Sequence, residues 1–196
     1  ASKDKAYFVI DNQNNEITSN SITRNAGAGI YINNNNADKK SYILNGVMIA
    51  NNSSSHAGQI KGLGVYINNA DNVSFNTAEI SNHTTAEALG VGIYLKNSTK
   101  VSFNIFDCNN NISNNNASNG GCLYSNTNNT ELVFTTTTIS GNTSGSGGGL
   151  YVDNARLDQL EGFGCKNNRA FLSGGCLYLG AAMHGGVGSP LNMRTL

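Results

Sequence analysis

Gly147-Gly148-Gly149-Leu150-Tyr151 is the plainest copy of a step that occurs six times in this chain. The others are Gly27-Ala28-Gly29-Ile30-Tyr31, Gly62-Leu63-Gly64-Val65-Tyr66, Gly90-Val91-Gly92-Ile93-Tyr94, Gly120-Gly121-Cys122-Leu123-Tyr124 and Gly174-Gly175-Cys176-Leu177-Tyr178. The tyrosines lie 35, 28, 30, 27 and 27 residues apart. A unit this short cannot bury its own apolar face, so successive units must stack into one core. The step therefore predicts a solenoid in which like side chains form columns.

A second motif keeps the same register. An apolar residue is followed three positions on by asparagine in Ile22/Asn25, Ile49/Asn52, Ile112/Asn115, Ile139/Asn142 and Cys165/Asn168, and Ile80/His83 puts histidine in that slot. Five positions earlier stands another apolar residue: Ile17, Leu44, Phe75, Phe134 or Leu160. In the fourth unit Phe103 lies nine residues before Ile112, which reads as a four-residue insertion around residues 105–108.

Period two gives the strands. Residues 28, 30 and 32 read Ala-Ile-Ile, and their counterparts are mostly apolar, so this parity is the inward face. Val73/Phe75, Val101/Phe103 and Leu132/Phe134 mark a second inward strand, and the apolar-x-x-Asn step a third, very short one. Asn, Ser, Thr and Gly runs between them are turn chemistry, and no stretch reads as an amphipathic helix. The fold class is all-β, a right-handed parallel β-helix of about six coils with three short strands each. Residues 1–16 form a cap or first strand, 17–179 the repeats, and 180–196 a tail or cap.

Asparagine supplies 34 of 196 residues and proline one, a composition that reads as disordered were it not for the apolar columns. Asparagine accepts the left-handed conformation at turns and bonds along a stack. The column Asn25, Asn52, Asn115, Asn142 and Asn168 is therefore a structural ladder, and Asn34, Asn69, Asn97 and Asn154 form a second one.

Charge excludes several classes. Twelve basic and 12 acidic residues cancel, and no Lys/Arg cluster offers a face to nucleic acid or an anionic membrane. No apolar run is long enough to insert into a bilayer, and no signal peptide is present. The chain begins almost directly in the first repeat, as a mature or excised piece would.

Cys122 and Cys176 share a repeat position two coils apart, about 9.6 Å, too far to bridge. Cys108 with Cys122, and Cys165 with Cys176, fall within single coils and could pair. The simpler expectation is four free, small side chains, and no spacing suggests a metal site.

If Ile30 and Ile32 point inward, Tyr31 points outward, as do Tyr66, Tyr94, Tyr124, Tyr151 and Tyr178. Gly29, Gly64, Gly92, Cys122, Gly149 and Cys176 are expected on the same face, leaving a flat tyrosine ribbon. Such a ribbon suits recognition of sugars or protein surfaces, or serves only to stabilise the sheet by stacking. The seven Asp and five Glu fall in no common repeat position. Asp71 and Asp153 come nearest, yet three coils separate them by about 14 Å, too wide for an acid/base pair. Asp107, Asp158, His56, His83 and His184 form no cluster, so no catalytic residue, cofactor or metal ligand is assigned. Glycosylation sequons, Asn72, Asn97 and Asn142 among them, occur near chance frequency for this composition.

The pairing of apolar-x-x-Asn with Gly-Gly-small-aliphatic resembles the passenger repeats of the polymorphic membrane proteins of chlamydiae, over residues 17–179. The resemblance implies a surface-displayed, non-catalytic adhesin outside the cell, with a host-cell or surface protein or glycan as partner. Two alternatives stand beside it. Unpaired strand edges at the coil ends would let copies stack into a surface filament. Many β-helix proteins are also carbohydrate-active enzymes.

Overall fold

The computed structural model describes residues 7–18, 20–22, 26–34, 40–56, 58–126, 130–180 and 192–194. Every regular element among them is a β-strand, and every pairing between strands is parallel. The chain is a β-solenoid of about five turns, close to the expected coil number.

The longest sheet has seven strands: Tyr7–Thr18, Lys40–Ala50, Ala70–Ser81, Lys100–Asn109, Glu131–Ser140, Arg156–Lys166 and Asn192–Arg194. The expected boundary at residue 17 falls inside its first strand. Its inner face carries the column Leu44, Phe75, Phe103, Phe134 and Leu160. Phe75, Phe103 and Phe134 stack with centroids 5.1 and 4.7 Å apart, and Phe106 packs at a tilt against the first two. Phe106 fits because its neighbours in register are the small Ala78 and Thr137. One residue bends each of these strands into the left-handed region: Thr77, Ile105 and Thr136, with Gly46 and Gly162 doing the same in the flanking strands.

A second sheet of six strands carries the tyrosines: Ile30–Asn33, Val65–Asn68, Ile93–Lys96, Leu123–Asn126, Leu150–Asp153 and Leu177–Leu179. Val65, Ile93, Leu123 and Leu150 on its inner face are buried against the first sheet. The third wall is a set of short corner strands, Thr84–Thr85, Ile112–Ser113, Thr143–Ser146 and Arg169–Ser173, with Ser21–Ile22 paired separately to Ser53–Ser54.

The corner between the first and third walls differs from the sequence reading. Cys108 stands in register with Ile80 and Ile139, so there is no insertion at residues 105–108. The extra residues of that coil follow the corner, and Ile112 opens the third wall opposite Thr84 and Thr143. The apolar-x-x-Asn step is thus the end of the long strand and its corner, not a strand of its own.

The bend before each tyrosine strand splits the expected inward column 28-30-32. Ile30 and Ile32 join the main core, whereas Ala28, Leu63 and Val91 pack with Ile60 and Ala88 in a separate small cluster. Strand alternation holds only within a strand, and these positions precede it.

Candidate binding face and its support

The six tyrosines are in exact coil-to-coil register and form one continuous stack. Ring centroids lie 4.9, 5.4, 5.4, 5.1 and 4.5 Å apart from Tyr31 to Tyr178, with interplanar angles of 14° or less. Such pairs contribute about 0.5–1.5 kcal/mol each beyond area burial. Because the rings lie face to face, the stack is no open ribbon. Tyr31 at one end is 55% exposed, whereas Tyr94 and Tyr124 in the middle retain only 8%. Burial raises the pKa of Tyr66, Tyr94, Tyr124 and Tyr151, with Tyr94 and Tyr151 reaching about 12; neighbouring tyrosines add to the rise at Tyr66, Tyr94 and Tyr151.

Glycine makes room for this stack. The first residue of each step, Gly27, Gly62, Gly90, Gly120, Gly147 or Gly174, has φ between 59° and 71°. A Cβ at Gly90 would lie 1.8 Å from the carbonyl oxygen of Ile93, so the bend closes only around glycine. Amides rim the stack: Asn68 donates to Asn33 at 2.8 Å, Asn126 to the Tyr124 hydroxyl at 3.0 Å, and Asn154 to Asn126 at 3.0 Å. Asn69, Asn97 and Asn154 of the expected second column turn the chain off this sheet with φ of 63°, 53° and 58°.

The third residue of each step does not share the tyrosine face. Cys122 is buried, and a Cβ on Gly29, Gly92 or Gly149 would strike the side chain of Ile49, Ile80 or Ile139. Where the third residue is cysteine, the facing isoleucine is replaced by a second cysteine. Cys108–Cys122 and Cys165–Cys176 are disulfides, with Cα atoms 5.9 and 6.0 Å apart. The expectation of free thiols is overturned. An Ile/Gly pair in one coil is exchanged for a Cys/Cys pair in the next, filling the same space between walls. The within-coil pairing is legible in the sequence, and the register of Cys108 with Ile80 and Ile139 is what distinguishes it from free thiols.

Behind the face runs the carboxamide ladder. Asn20 donates its backbone N–H (2.9 Å) to the side-chain oxygen of Asn52, His83 does so to Asn111 (3.3 Å), Asn111 to Asn142 (2.9 Å) and Asn142 to Asn168 (3.0 Å). Each amide nitrogen also reaches back to a carbonyl of the preceding coil: Asn52 to Ile17, Asn111 to Ile80, Asn142 to Cys108 and Asn168 to Ile139. Asn52, Asn142 and Asn168 therefore stand in the ladder, but Asn115 does not. Asn115 caps an exposed turn by accepting the Ala117 N–H at 2.8 Å, and Asn111 takes the place assigned to it. Asn25 lies outside the described residues; Asn20 fills the first slot.

The carboxylates are dispersed. Asp158 pairs with Arg156, whose hydrogen bond holds its pKa below the ordinary range, and Glu131 lies 3.6 Å from Lys100. Asp107 stands in register with Glu79 on the outer side of the long sheet. No group of three or more potential metal ligands converges among the described residues. Among the described residues no helix is long and apolar enough to cross a membrane. Comparison with known protein families, with curated proteins and with solved structures finds no match.

Proposed function

We propose that this solenoid is a non-catalytic binding module displayed outside the cell, which engages a surface glycan or protein through the tyrosine wall. The observation that carries this reading is the unbroken tyrosine column on one wall. A rigid stack with hydroxyl and amide groups along its edge presents polar contacts on a pre-ordered apolar support, the combination that favours recognition at low entropic cost. Two intracoil disulfides support a thiol-oxidising setting. The repeat resemblance to chlamydial passenger repeats points to an adhesin.

The test is binding of the purified chain to glycan arrays and intact cells. Tyr31→Ser removes the exposed ring without opening the interior of the stack, and a combined Tyr66→Phe, Tyr94→Phe and Tyr151→Phe variant removes hydroxyls while keeping the rings. Loss of binding with an unchanged melting temperature supports the reading; full binding by both variants defeats it.

Self-assembly is the second reading. The last described coil exposes Leu172 and Leu179, which are 63% and 41% accessible, on two neighbouring walls. Sedimentation across concentration separates the two, because a filament subunit forms ordered oligomers and a binding module stays monomeric.

A further inference from the structure

Three of the ladder asparagines open glycosylation sequons, each at the corner. Asn52-Ser53-Ser54, Asn111-Ile112-Ser113 and Asn142-Thr143-Ser144 each place a serine two residues beyond a buried ladder amide. That serine is the second residue of the short strand after the corner, where small hydroxyl residues fit. Ser113 is buried and donates to the Ala86 carbonyl at 3.0 Å, Ser144 is buried, and Thr85 stands in register with Ser113. The sequons at Asn72, Asn82, Asn97 and Asn116, by contrast, have exposed asparagines.

Asparagine glycosylation joins Nδ2 to the anomeric carbon of a glycan carried on a lipid pyrophosphate. The pyrophosphate leaves with the bonding electrons, and the amide gives up one proton. At Asn111 and Asn142 both amide protons are already engaged, and Asn52 Nδ2 donates to the Ile17 carbonyl at 3.2 Å. Asn142 Nδ2 donates to the Cys108 carbonyl and to Asn168 Oδ1, each at 2.9 Å. Asn111 Nδ2 donates to the Ile80 carbonyl and to Asn142 Oδ1, each at 3.0 Å. A glycan there removes one bond and demands space inside a close-packed corner.

We propose that this chain is suited to a compartment that forms disulfides and performs no asparagine glycosylation, because a glycan at Asn52, Asn111 or Asn142 and the folded ladder exclude one another. The transfer acts on chains before they fold, so burial in the finished solenoid gives no protection.

The experiment secretes the full chain from a eukaryotic cell line, with and without tunicamycin to block glycan-precursor synthesis. A Ser54→Ala, Ser113→Ala, Ser144→Ala variant runs in parallel; it keeps every ladder amide and every exposed sequon. Glycopeptide mass spectrometry reads Asn52, Asn111 and Asn142, and non-reducing peptide maps with circular dichroism read the fold. Expected are ladder glycans on most wild-type molecules, with those molecules lacking the native disulfides, and folded protein with tunicamycin. The variant should fold while its exposed sites still carry glycan. Wild-type protein that folds with its ladder sequons skipped, or folds while carrying glycan there, overturns the proposal. If the variant misfolds for other reasons, the tunicamycin arm still decides.

Discussion

Asn52 donates its backbone N–H to Nδ1 of His83 at 3.1 Å, so an imidazole stands where neighbouring coils use a carboxamide. His83 is fully buried, and its Nε2 has no hydrogen-bond partner. Burial lowers its pKa from 6.5 to about 4. Protonation would set a second N–H against the Asn52 donor, breaking the ladder between two coils. A histidine with a lowered pKa adds its stability in full above pH 6.5, and that stability is lost as the pH falls toward about 4. The loss is at most about 3 kcal/mol. Urea midpoints measured across this range should drop for the wild type and stay nearly level for His83→Asn.

At the alkaline end the tyrosine stack sets the limit. In the folded chain Tyr94 and Tyr151 ionise at about 12, but their ordinary value is 10.0. The raised values favour the neutral ring in the fold, so stability is intact below pH 10 and falls as the pH climbs toward 12. Spectrophotometric titration should show at least two late tyrosines, and Tyr94→Phe should remove one of them. Ordinary titration of all tyrosines would mean that the stack is open to water.

The ladder assignment is tested by two neighbouring asparagines. Asn111→Ala strips several buried hydrogen bonds, those to the Ile80 carbonyl and from the His83 N–H among them, a loss of about 2–4 kcal/mol. Asn115→Ala removes a bond in an exposed turn and should cost less than about 1 kcal/mol. Equal losses would mean that the corner had been placed one motif too far along the chain.

That distinction marks how far the sequence could be read. The tyrosine step was readable because one residue of it needs positive φ and another must alternate outward, so every coil repeats it. The ladder was harder. In the fourth coil Asn111, Asn114, Asn115 and Asn116 all compete for one slot, and Ile112 imitates the apolar residue three positions before Asn115. Only the pairing of Cys108 with Ile80 and Ile139 resolves the register. The closure of the tyrosine face is not legible in the sequence for a different reason. Alternation fixes direction, whereas exposure depends on how closely rings pack between coils, and a one-dimensional pattern does not encode that spacing.

The disulfides give a prediction from column exchange. Cys108→Ser leaves a buried hydroxyl and an unpaired thiol in the core, whereas Cys108→Ile with Cys122→Gly copies the neighbouring coils. Losing the cross-link costs about 3 kcal/mol for a loop of this size. The double variant should regain part of this through aliphatic packing and melt above the Cys108→Ser variant. A double variant less stable than the single one would show that the walls stand at a different spacing in that coil.

Ile105 offers the opposite sign of effect. It is a β-branched residue at φ 49° and 56% exposed on the outer side of the long sheet. The left-handed region crowds a β-branched side chain, at about 1–2 kcal/mol for an ordinary residue. Thr77 and Thr136, at the same place in the two adjacent strands, adopt the same bend, so the conformation is imposed by the stacked bend and not by Ile105 itself. Asparagine tolerates this region best among residues with a side chain, and seven of the ten non-glycine residues at positive φ among the described residues are asparagine. Ile105→Asn should therefore raise stability by about 0.5–1 kcal/mol, read as a higher melting temperature with unchanged circular dichroism. A fall in melting temperature would mean that the isoleucine side chain shields the backbone of the bend from water and that this shielding outweighs the strain.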